Sequence, residues 1–196
     1  GGQCAVANPN TTRFAGNCGA LITLNDATTN PSYVQENNPS AETAYRVRLY
    51  VNLRGLTMPS GAELDLFAAY DGADPAAGSS SGDAAIRVEV GSNGTDKNVL
   101  LAVRTDADTE LMTTPVTIYS GWHAIEFSWV RSTGPGNNNG TLSWWLDGIA
   151  QTGLSSIDND TEVVNYARWG AVAGLEASTQ GTFKADDYAS QRSGYI

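Results

Sequence analysis

The chain contains a single histidine, His123, and this residue limits the reactions that its side chains could catalyse. Because imidazole is the usual general base near neutral pH, every Ser-His-Asp or Cys-His mechanism would depend on His123. The residue alternates with Ile125 and Phe127, which indicates an apolar strand face where a histidine usually has a structural role. We therefore expect no catalytic residue here and interpret the chain as a non-enzyme, with lyase and hydrolase activities kept as alternatives.

Aromatic rings and arginines at regular spacing could build a sugar-binding surface. Trp144 and Trp145 are consecutive, so on a strand one of them faces the core and the other faces outward. Arg46, Arg48 and Tyr50 alternate along an earlier segment and would share one strand face. Because sugars stack on exposed rings and arginines bind acidic groups, these five residues are the candidate glycan-binding residues. The alternative for the tryptophans is packing beneath loops.

Charged residues recur at alternate positions in two further patterns. Four arginines alternate with apolar neighbours and are expected to form a row on one sheet, either a groove for an acidic polysaccharide or a set of cross-strand ion pairs: Arg46, Arg48, Arg87 and Arg104. Two acidic runs, 106–110 and 158–162, lack the glycine of a calcium-binding helix-loop-helix. We interpret both runs as solvated turns in which Asp side chains accept hydrogen bonds from nearby amides.

The elements that position these residues are strands, because no segment shows a sustained helical period. β-Branched and aromatic residues alternate with polar ones between clusters of Gly, Asn, Asp and Pro. This pattern predicts strands at 19–24, 43–53, 63–70, 86–90, 99–104, 116–119, 122–131, 142–147, 166–172 and 182–189. Asn93-Gly94 and Asp147-Gly148 predict tight hairpins. About a dozen strands predict one all-β domain over residues 1–196, a two-sheet antiparallel jelly-roll sandwich.

Composition excludes several classes of partner. Eleven Lys and Arg against twenty-one Asp and Glu give a net charge of −10 and a pI near 4.3, which argues against nucleic acid. One His and two Cys cannot complete a four-ligand zinc site or an iron–sulfur cluster. Apolar stretches such as 99–103 fall far short of the roughly 20 residues of a membrane span. We expect neither nucleic acid nor a membrane span.

The N-terminal segment carries both cysteines. Because the chain begins at Gly1 without Met or a signal peptide, we expect a processed protein that is extracellular or on the cell surface. In an oxidising compartment Cys4 and Cys18 would close a loop of about 15 residues, worth on the order of 3 kcal/mol. Two separate thiols are the alternative. Residues 1–18 are thus expected to form an arm closed by this disulfide.

The same arm could join neighbouring molecules. The first ten residues would add as a strand to the sheet edge of another copy, a head-to-tail contact that produces filaments. The assembly residues would be Gly1, Gly2, Gln3, Ala5 and Val6. The alternative is a strand that completes its own sheet.

Three motifs resemble laminin G-like domains of the concanavalin A-like jelly-roll superfamily. The segment 122–126, Trp-His-Ala-Ile-Glu, is followed at 140–148 by Gly-Thr-Leu-Ser-Trp-Trp-Leu-Asp-Gly, similar to the central hairpin of those domains. The segment 183–188, Phe-Lys-Ala-Asp-Asp-Tyr, resembles their closing strand. The motifs span the second half of the chain and are most similar to a bacterial laminin G-like group whose members mostly lack an assigned function.

The resemblance implies two curved sheets, a concave face that often binds glycans and sometimes a structural calcium ion. The calcium would be held by Asp186 or Asp187 together with backbone carbonyls of the N-terminal segment. Since the two residues are adjacent on a strand, they would point to opposite faces and only one could serve.

Enzymes of the superfamily carry motifs that this chain matches only in part. Its glucan hydrolases place their acids in a Glu-x-Asp-x-(x)-Glu run, which only the turn-like segment 158–162 imitates. Its polysaccharide lyases combine Arg, Gln, His and Tyr on the concave face. Arg46, Arg48 and Tyr50 resemble part of such a face, but no Gln-x-His motif accompanies them.

The sequence favours a non-catalytic structural or adhesive module of the cell surface or extracellular matrix, forming a homo-polymer through its termini. The first alternative is a glycan-binding module whose partner is a polysaccharide, and the second is a polysaccharide lyase. The fold resemblance alone does not choose among them.

Overall fold

Alternating apolar and polar residues form strands through most of the chain in the computed structural model, which describes residues 3–4, 13–16, 19–25, 30–72, 84–194 and 196. The strands of these described residues are β1 (Gln3–Cys4), β2 (Ala20–Leu24), β3 (Ser32–Glu36), β4 (Ala44–Asn52), β5 (Leu56–Thr57), β6 (Glu63–Tyr70), β7 (Ala84–Ser92), β8 (Lys97–Arg104), β9 (Glu110–Met112), β10 (Val116–Ile118), β11 (His123–Val130), β12 (Gly140–Leu146), β13 (Ile149–Ile157), β14 (Tyr166–Ala173) and β15 (Gln180–Gln191).

The strands form two antiparallel sheets. Sheet A has the order β1-β2-β15-β4-β11-β12-β13, with β5 beside β15. Sheet B has the order β10-β8-β7-β6-β14-β3, with β9 beside β8. The prediction of an all-β sandwich of two antiparallel sheets is confirmed. No helix of the described residues is long and apolar enough to cross a membrane.

The core lies between the sheets and is built by period-two alternation. In β4, Tyr45, Val47 and Leu49 are at most 1% exposed, and they pack in one cluster with Phe127 and Trp129 of β11. Burying each such side chain contributes about 1.5–3 kcal/mol relative to leaving it exposed. The alternation that buries these residues sends their sequence neighbours to the outer face of sheet A.

The two predicted hairpins have different turns. Asp147 and Gly148, with φ of 53° and 77°, connect β12 to β13 as the tight two-residue turn that their sequence favours. The hairpin of β7 and β8 instead has a four-residue loop, 93–96. Its reason is the Asn93 side chain, whose Oδ1 accepts hydrogen bonds from the amides of Thr95 and Asp96 at 2.9 and 2.7 Å.

The described part of the N-terminal arm completes its own sheet. Gln3 and Cys4 pair with Leu21 and Ala20 of β2 in the same chain. Gln3 and Cys4 therefore match the alternative of a strand that completes its own sheet. Addition of the first ten residues to a neighbouring molecule stays a prediction. The other assembly residues, Gly1, Gly2, Ala5 and Val6, lie outside the described residues, as does Cys18 of the expected disulfide.

Candidate functional site

Sheet A presents the predicted glycan-binding residues on its outer face. Arg46, Arg48 and Tyr50 point outward from β4, opposite the buried face of that strand. In the neighbouring strand β11, Glu126 lies in register between Arg48 of β4 and Trp145 of β12. The structure therefore brings four of the five candidates together. We call the outward surface formed by Arg46, Arg48, Tyr50, Glu126 and Trp145 the A face.

The two tryptophans have opposite environments. Trp144 faces the core, is 1% exposed, and donates a hydrogen bond from Nε1 to the carbonyl of Thr152 at 3.1 Å. Its assignment as a glycan-binding residue is wrong, because the pleat places it on the inner face. Trp145 faces outward and is partly exposed, and the Arg46 guanidinium lies 4.9 Å from its ring centre.

Carboxylates balance the arginine charges of the A face. Arg46 donates from Nε to Glu126 at 2.8 Å and forms an ion pair with it through Nη2. Arg48 lies 3.8 Å from Asp187 and donates to the carbonyl of Ile196 at 3.3 Å. The A face is therefore a surface of aromatic rings and paired charges, with guanidinium N–H groups held in fixed directions.

A second aromatic group on sheet A was not predicted. Phe14 is 47% exposed and stacks on Tyr50, with 3.9 Å between ring centres, and the Trp122 ring lies 6.0 Å from Phe14. The Asp186 carboxylate holds this segment by accepting hydrogen bonds from the amides of Phe14 and Ala15 at 2.7 and 3.0 Å. Strand alternation carries no signal for such a contact, because Phe14 lies outside any strand.

These hydrogen bonds give the predicted calcium pair a different environment from the expected one. The N-terminal segment offers Asp186 two N–H donors, whereas the calcium prediction required its carbonyls. A β-bulge follows Asp186, and Asp187 there has a φ of 47° instead of strand geometry. Calcium binding by Asp186 or Asp187 stays a prediction.

The two acidic runs meet at one end of the molecule. Carboxylate oxygens of Asp106, Asp158 and Asp160 lie within 4.8 Å of one another. Asp106 accepts hydrogen bonds from the amides of Asp160 and Thr161 at 3.2 and 3.1 Å. The side chain thus caps amides of the other run, so the expectation that it binds amides of its own turn is wrong for Asp106.

The outer face of sheet B holds the other two arginines of the expected basic row. Arg87 Nη1 donates to Asp65 and Glu89, each at 2.8 Å, and Nη2 donates to Glu110 at 2.8 Å. Arg104, on neighbouring β8, pairs at 2.6 Å with the Asp108 carboxylate. A single basic row is therefore wrong, because these arginines lie on the opposite sheet from Arg46 and Arg48.

β6 begins with Glu63-Leu64-Asp65, which is two-thirds of the hydrolase pattern and was missed in the sequence. Phe67 and Ala68 occupy the positions where a third acid would stand. Asp65 is 1% exposed and bound to Arg87, so this carboxylate is closed to a substrate.

A second cluster of polar side chains surrounds Arg168 on the outer face of sheet B, and we call it the Arg168 group. Arg168 donates from Nε to Gln35 at 2.8 Å, and its guanidinium lies 4.5, 5.3 and 5.5 Å from the rings of Tyr33, Tyr70 and Tyr166. The group combines Arg, Gln and Tyr, as the lyase resemblance would require, but Arg168 is 3% exposed. Burial raises the pKa of Tyr70 to about 12, which disfavours a phenolate base at neutral pH.

His123 lies away from this group, at the start of β11 in sheet A. Its Nδ1 is 2.7 Å from the Asp147 carboxylate, and its Nε2 is 2.9 Å from the carbonyl of Tyr119. Both ring nitrogens therefore have protein partners. The ring joins the β12–β13 turn to the segment before β11, which is a structural role.

The sequence matches no protein-family model and no curated protein. The fold is similar to that of an endo-β-1,4-glucuronan lyase from the fungus Trichoderma reesei, over 96% of this chain and 86% of that one, at 16% identity and a TM-score of 0.61. A carbohydrate esterase from the Shiga toxin-encoding bacteriophage phi24B matches 97% of this chain and 87% of its own, at 12% identity and a TM-score of 0.60. An alginate lyase from Chlorella virus matches 97% of this chain and 89% of its own, at 12% identity and a TM-score of 0.59.

Likeness at such low identity establishes the fold and leaves the activity open. The motifs at 122–126 and 140–148 belong to the β11–β12 hairpin and its flanks, and the motif at 183–188 lies in β15. With its two antiparallel sheets, the chain has the fold of a concanavalin A-like jelly roll.

Proposed function

We propose that this domain binds a polysaccharide on its A face. The observation that carries the proposal is the outward Trp145 ring beside the Arg46 guanidinium, on the same sheet face as the exposed Phe14 ring, which stacks on Tyr50. Aromatic rings offer stacking surfaces to the apolar faces of sugars, and guanidinium groups donate hydrogen bonds to sugar oxygens. Both groups occur here in one surface.

The spacing of the rings suits an extended chain. Tyr50 and Trp145 are two strands apart and one outward position apart along the strand direction. Strand geometry therefore separates their backbones by about 12 Å. A ligand that contacts both rings would be an oligosaccharide.

The similar solved structures support a carbohydrate ligand. Their names describe a glucuronan lyase, an alginate lyase and a carbohydrate esterase, all of which act on carbohydrates. The finer assignments, a laminin G-like relationship, an extracellular location and a role in adhesion, belong to the same proposal. Self-assembly through the arm stays a separate prediction, which the pairing of Gln3 and Cys4 with β2 of their own sheet does not support.

Binding without cleavage is favoured over lyase activity. β-Elimination needs a base and an acid in reach of the sugar. The Arg168 group has a lyase-like composition without a histidine, and its Arg168 and Tyr70 side chains are buried. On the A face, Tyr50 is covered on one side by Phe14. We therefore expect the protein to release bound polysaccharides uncleaved.

Affinity electrophoresis in gels that contain glucuronan, alginate or a soluble cellulose derivative tests the proposal. Trp145→Ala is expected to weaken binding by about tenfold, since it removes about one aromatic contact. Tyr33→Ala, on the outer face of the opposite sheet, is the control and should leave mobility unchanged. Equal retardation of wild type and Trp145→Ala, or retardation by none of the polymers, would overturn the proposal.

The same polymers test for cleavage. Elimination would release unsaturated uronates that absorb in the ultraviolet, and we expect no increase in absorbance. An increase would replace binding with a lyase as the function.

A further inference from the structure

A small pocket lies at one end of the sandwich, between the ends of the two sheets. It has a volume of about 210 Å³. Leu53 and Ile118 are buried at its base, and Arg54, Lys97 and the 76% exposed Tyr119 also line it. Arg54 follows β4, Lys97 begins β8 and Tyr119 follows β10, so residues from both sheets meet here. We call it the end pocket.

The cations of the end pocket differ from those of the A face. Arg46 and Arg48 are paired with carboxylates, whereas neither Arg54 nor Lys97 forms an ion pair within the part of the chain that the structure describes. Asp96 also lines the pocket, so the three charged side chains give the pocket a formal charge of +1. In a chain of net charge −10, two cations without carboxylate partners at one pocket mark a place for an external anion.

The partial burial of Lys97 is a second reason to expect an anion in the end pocket. Burial lowers the pKa of Lys97, because its ammonium group has lost part of its water shell without gaining a carboxylate. A ligand anion would supply the missing partner. The apolar base and the Tyr119 ring would at the same time contact an apolar ring face.

The size of the pocket limits what can enter. Typical pockets for drug-sized ligands measure about 300–1,000 Å³, so this smaller one suits a single sugar ring. We infer that the end pocket binds one uronate unit of an acidic polysaccharide, with its carboxylate between Arg54 and Lys97 and its ring against Tyr119. The inference takes from the proposed function that the ligand is a sugar chain, and it adds a preference for acidic sugars.

The two sites would then divide recognition. The A face, with its charges paired internally, would bind sugar rings of either kind. The end pocket would supply the discrimination, because only an acidic sugar provides an anion to its two cations.

Two trisaccharides that differ only at C6 separate these contributions. β-1,4-Linked triglucuronate carries a carboxylate where cellotriose carries a hydroxymethyl group. In calorimetric titrations the wild type is expected to bind triglucuronate more tightly. The double variant Arg54→Gln/Lys97→Gln is expected to lose about tenfold or more in affinity for triglucuronate and to keep its affinity for cellotriose. Lys184→Gln, at the only other lysine, is the control and should change neither.

The outcomes separate the two proposals. If the double variant binds triglucuronate as tightly as wild type does, the end-pocket proposal is wrong. Loss of binding in Trp145→Ala would in that case still support the A face. Loss in the double variant with full binding by Trp145→Ala supports the end pocket and overturns the A face. Failure of the wild type to bind either trisaccharide overturns both.

Discussion

The carboxyl group of Glu162 occupies an unfavourable place for a charge. Its side chain is 7% exposed, its Oε1 lies 3.8 Å from Arg104, and its Oε2 has no hydrogen-bond partner among the residues that the structure describes. Burial raises its pKa from the ordinary 4.5 to about 7, and the nearby Asp106 and Asp108 add to this effect while Arg104 opposes it. The folded chain therefore holds this proton more tightly than the unfolded chain does.

This shift predicts that the folded state loses stability as the pH rises from about 4.5 to about 7, where Glu162 must ionise. Glu162→Gln removes the ionisation and should be more stable than wild type at pH 8, by at most about 3 kcal/mol. Urea unfolding at pH 5 and pH 8 measures the difference. A variant that is less stable than wild type at pH 8 would contradict the prediction.

Single-residue predictions succeeded where strand alternation governs them. The pleat alone requires one of Trp144 and Trp145 to be buried, and the core cluster that includes Trp129 decides which one. Asp186 could not be assigned this way, since its partners, the amides of Phe14 and Ala15, lie more than 170 residues away in sequence. The charge of a carboxylate does not reveal whether it binds a metal or an amide.

The contact between Asp186 and the N-terminal segment is a link between elements, and it gives a test of the calcium prediction. Asp186→Ala should release Phe14 from Tyr50, lower the affinity for polysaccharide and reduce the stability by about 1–3 kcal/mol. Asp187→Ala, at a more exposed side chain, should have a smaller effect. Thermal unfolding measures the stability of both variants, and the change in total tryptophan fluorescence, to which Trp122 contributes, reports the movement of Phe14.

A calcium chelator distinguishes the two roles of Asp186. If the carboxylate acts through the amides, the chelator leaves the wild-type melting temperature unchanged. A drop to the level of Asp186→Ala would instead show that a calcium ion holds the segment.

The two sheets are joined at one edge by Glu36 of β3. Its carboxylate accepts hydrogen bonds from Tyr45 at 2.7 Å, Tyr188 at 2.8 Å, Ser190 at 2.9 Å and Arg192 at 3.1 Å. Burial alone would raise its pKa, but these donors outweigh burial and lower the pKa below its ordinary 4.5. Glu36 thus stabilises the fold above pH 4.5, and this contribution is lost as the pH falls below it.

Glu36→Gln should therefore destabilise the protein at neutral pH by about 1–3 kcal/mol, because the buried Tyr45 and the half-buried Tyr188 lose a charged acceptor. Its stability should also fall less than that of wild type between pH 5 and pH 3. Urea unfolding across that range checks both statements. If the free energy of unfolding falls by the same amount in both proteins between pH 5 and pH 3, Glu36 does not cause the loss of stability in acid.

At the scale of elements, long strands were predictable and sheet edges were not. The predicted strand at 63–70 has the bounds of β6, a strand paired on both sides. β3 was missed because Ser32–Glu36 is short and mostly polar, and it pairs only with β14. The Asp147-Gly148 turn predicted a hairpin, but the extent of β13 to Ile157 was not predicted, since an edge strand with mostly exposed side chains has no clear alternation.

The whole molecule presents two outer faces of different character. On sheet B, Arg87 is bound by carboxylates, Arg168 lies beside tyrosine rings, and both are at most 6% exposed. On sheet A, Trp145 and Phe14 remain accessible beside paired charges. The fold class followed from strand patterning, but the choice of the open face depends on which side chains cover each sheet. No pattern in the sequence encodes that choice.

The net charge of −10 makes a prediction about salt that concerns the entire surface. A protein that binds a polyanion through a broad basic surface loses affinity steeply as salt rises, because counterions are released on binding. Here the end pocket is expected to attract the carboxylates of glucuronan, while the net negative charge of the chain repels them. Salt weakens both effects, since the Debye length falls from about 30 Å at 0.01 M to about 8 Å at 0.15 M. The affinity for glucuronan should therefore change by less than about tenfold over this range, as measured by calorimetry. A steep loss would show that the polymer binds a broad basic surface, and with it the division between a neutral A face and a small cationic pocket would fail.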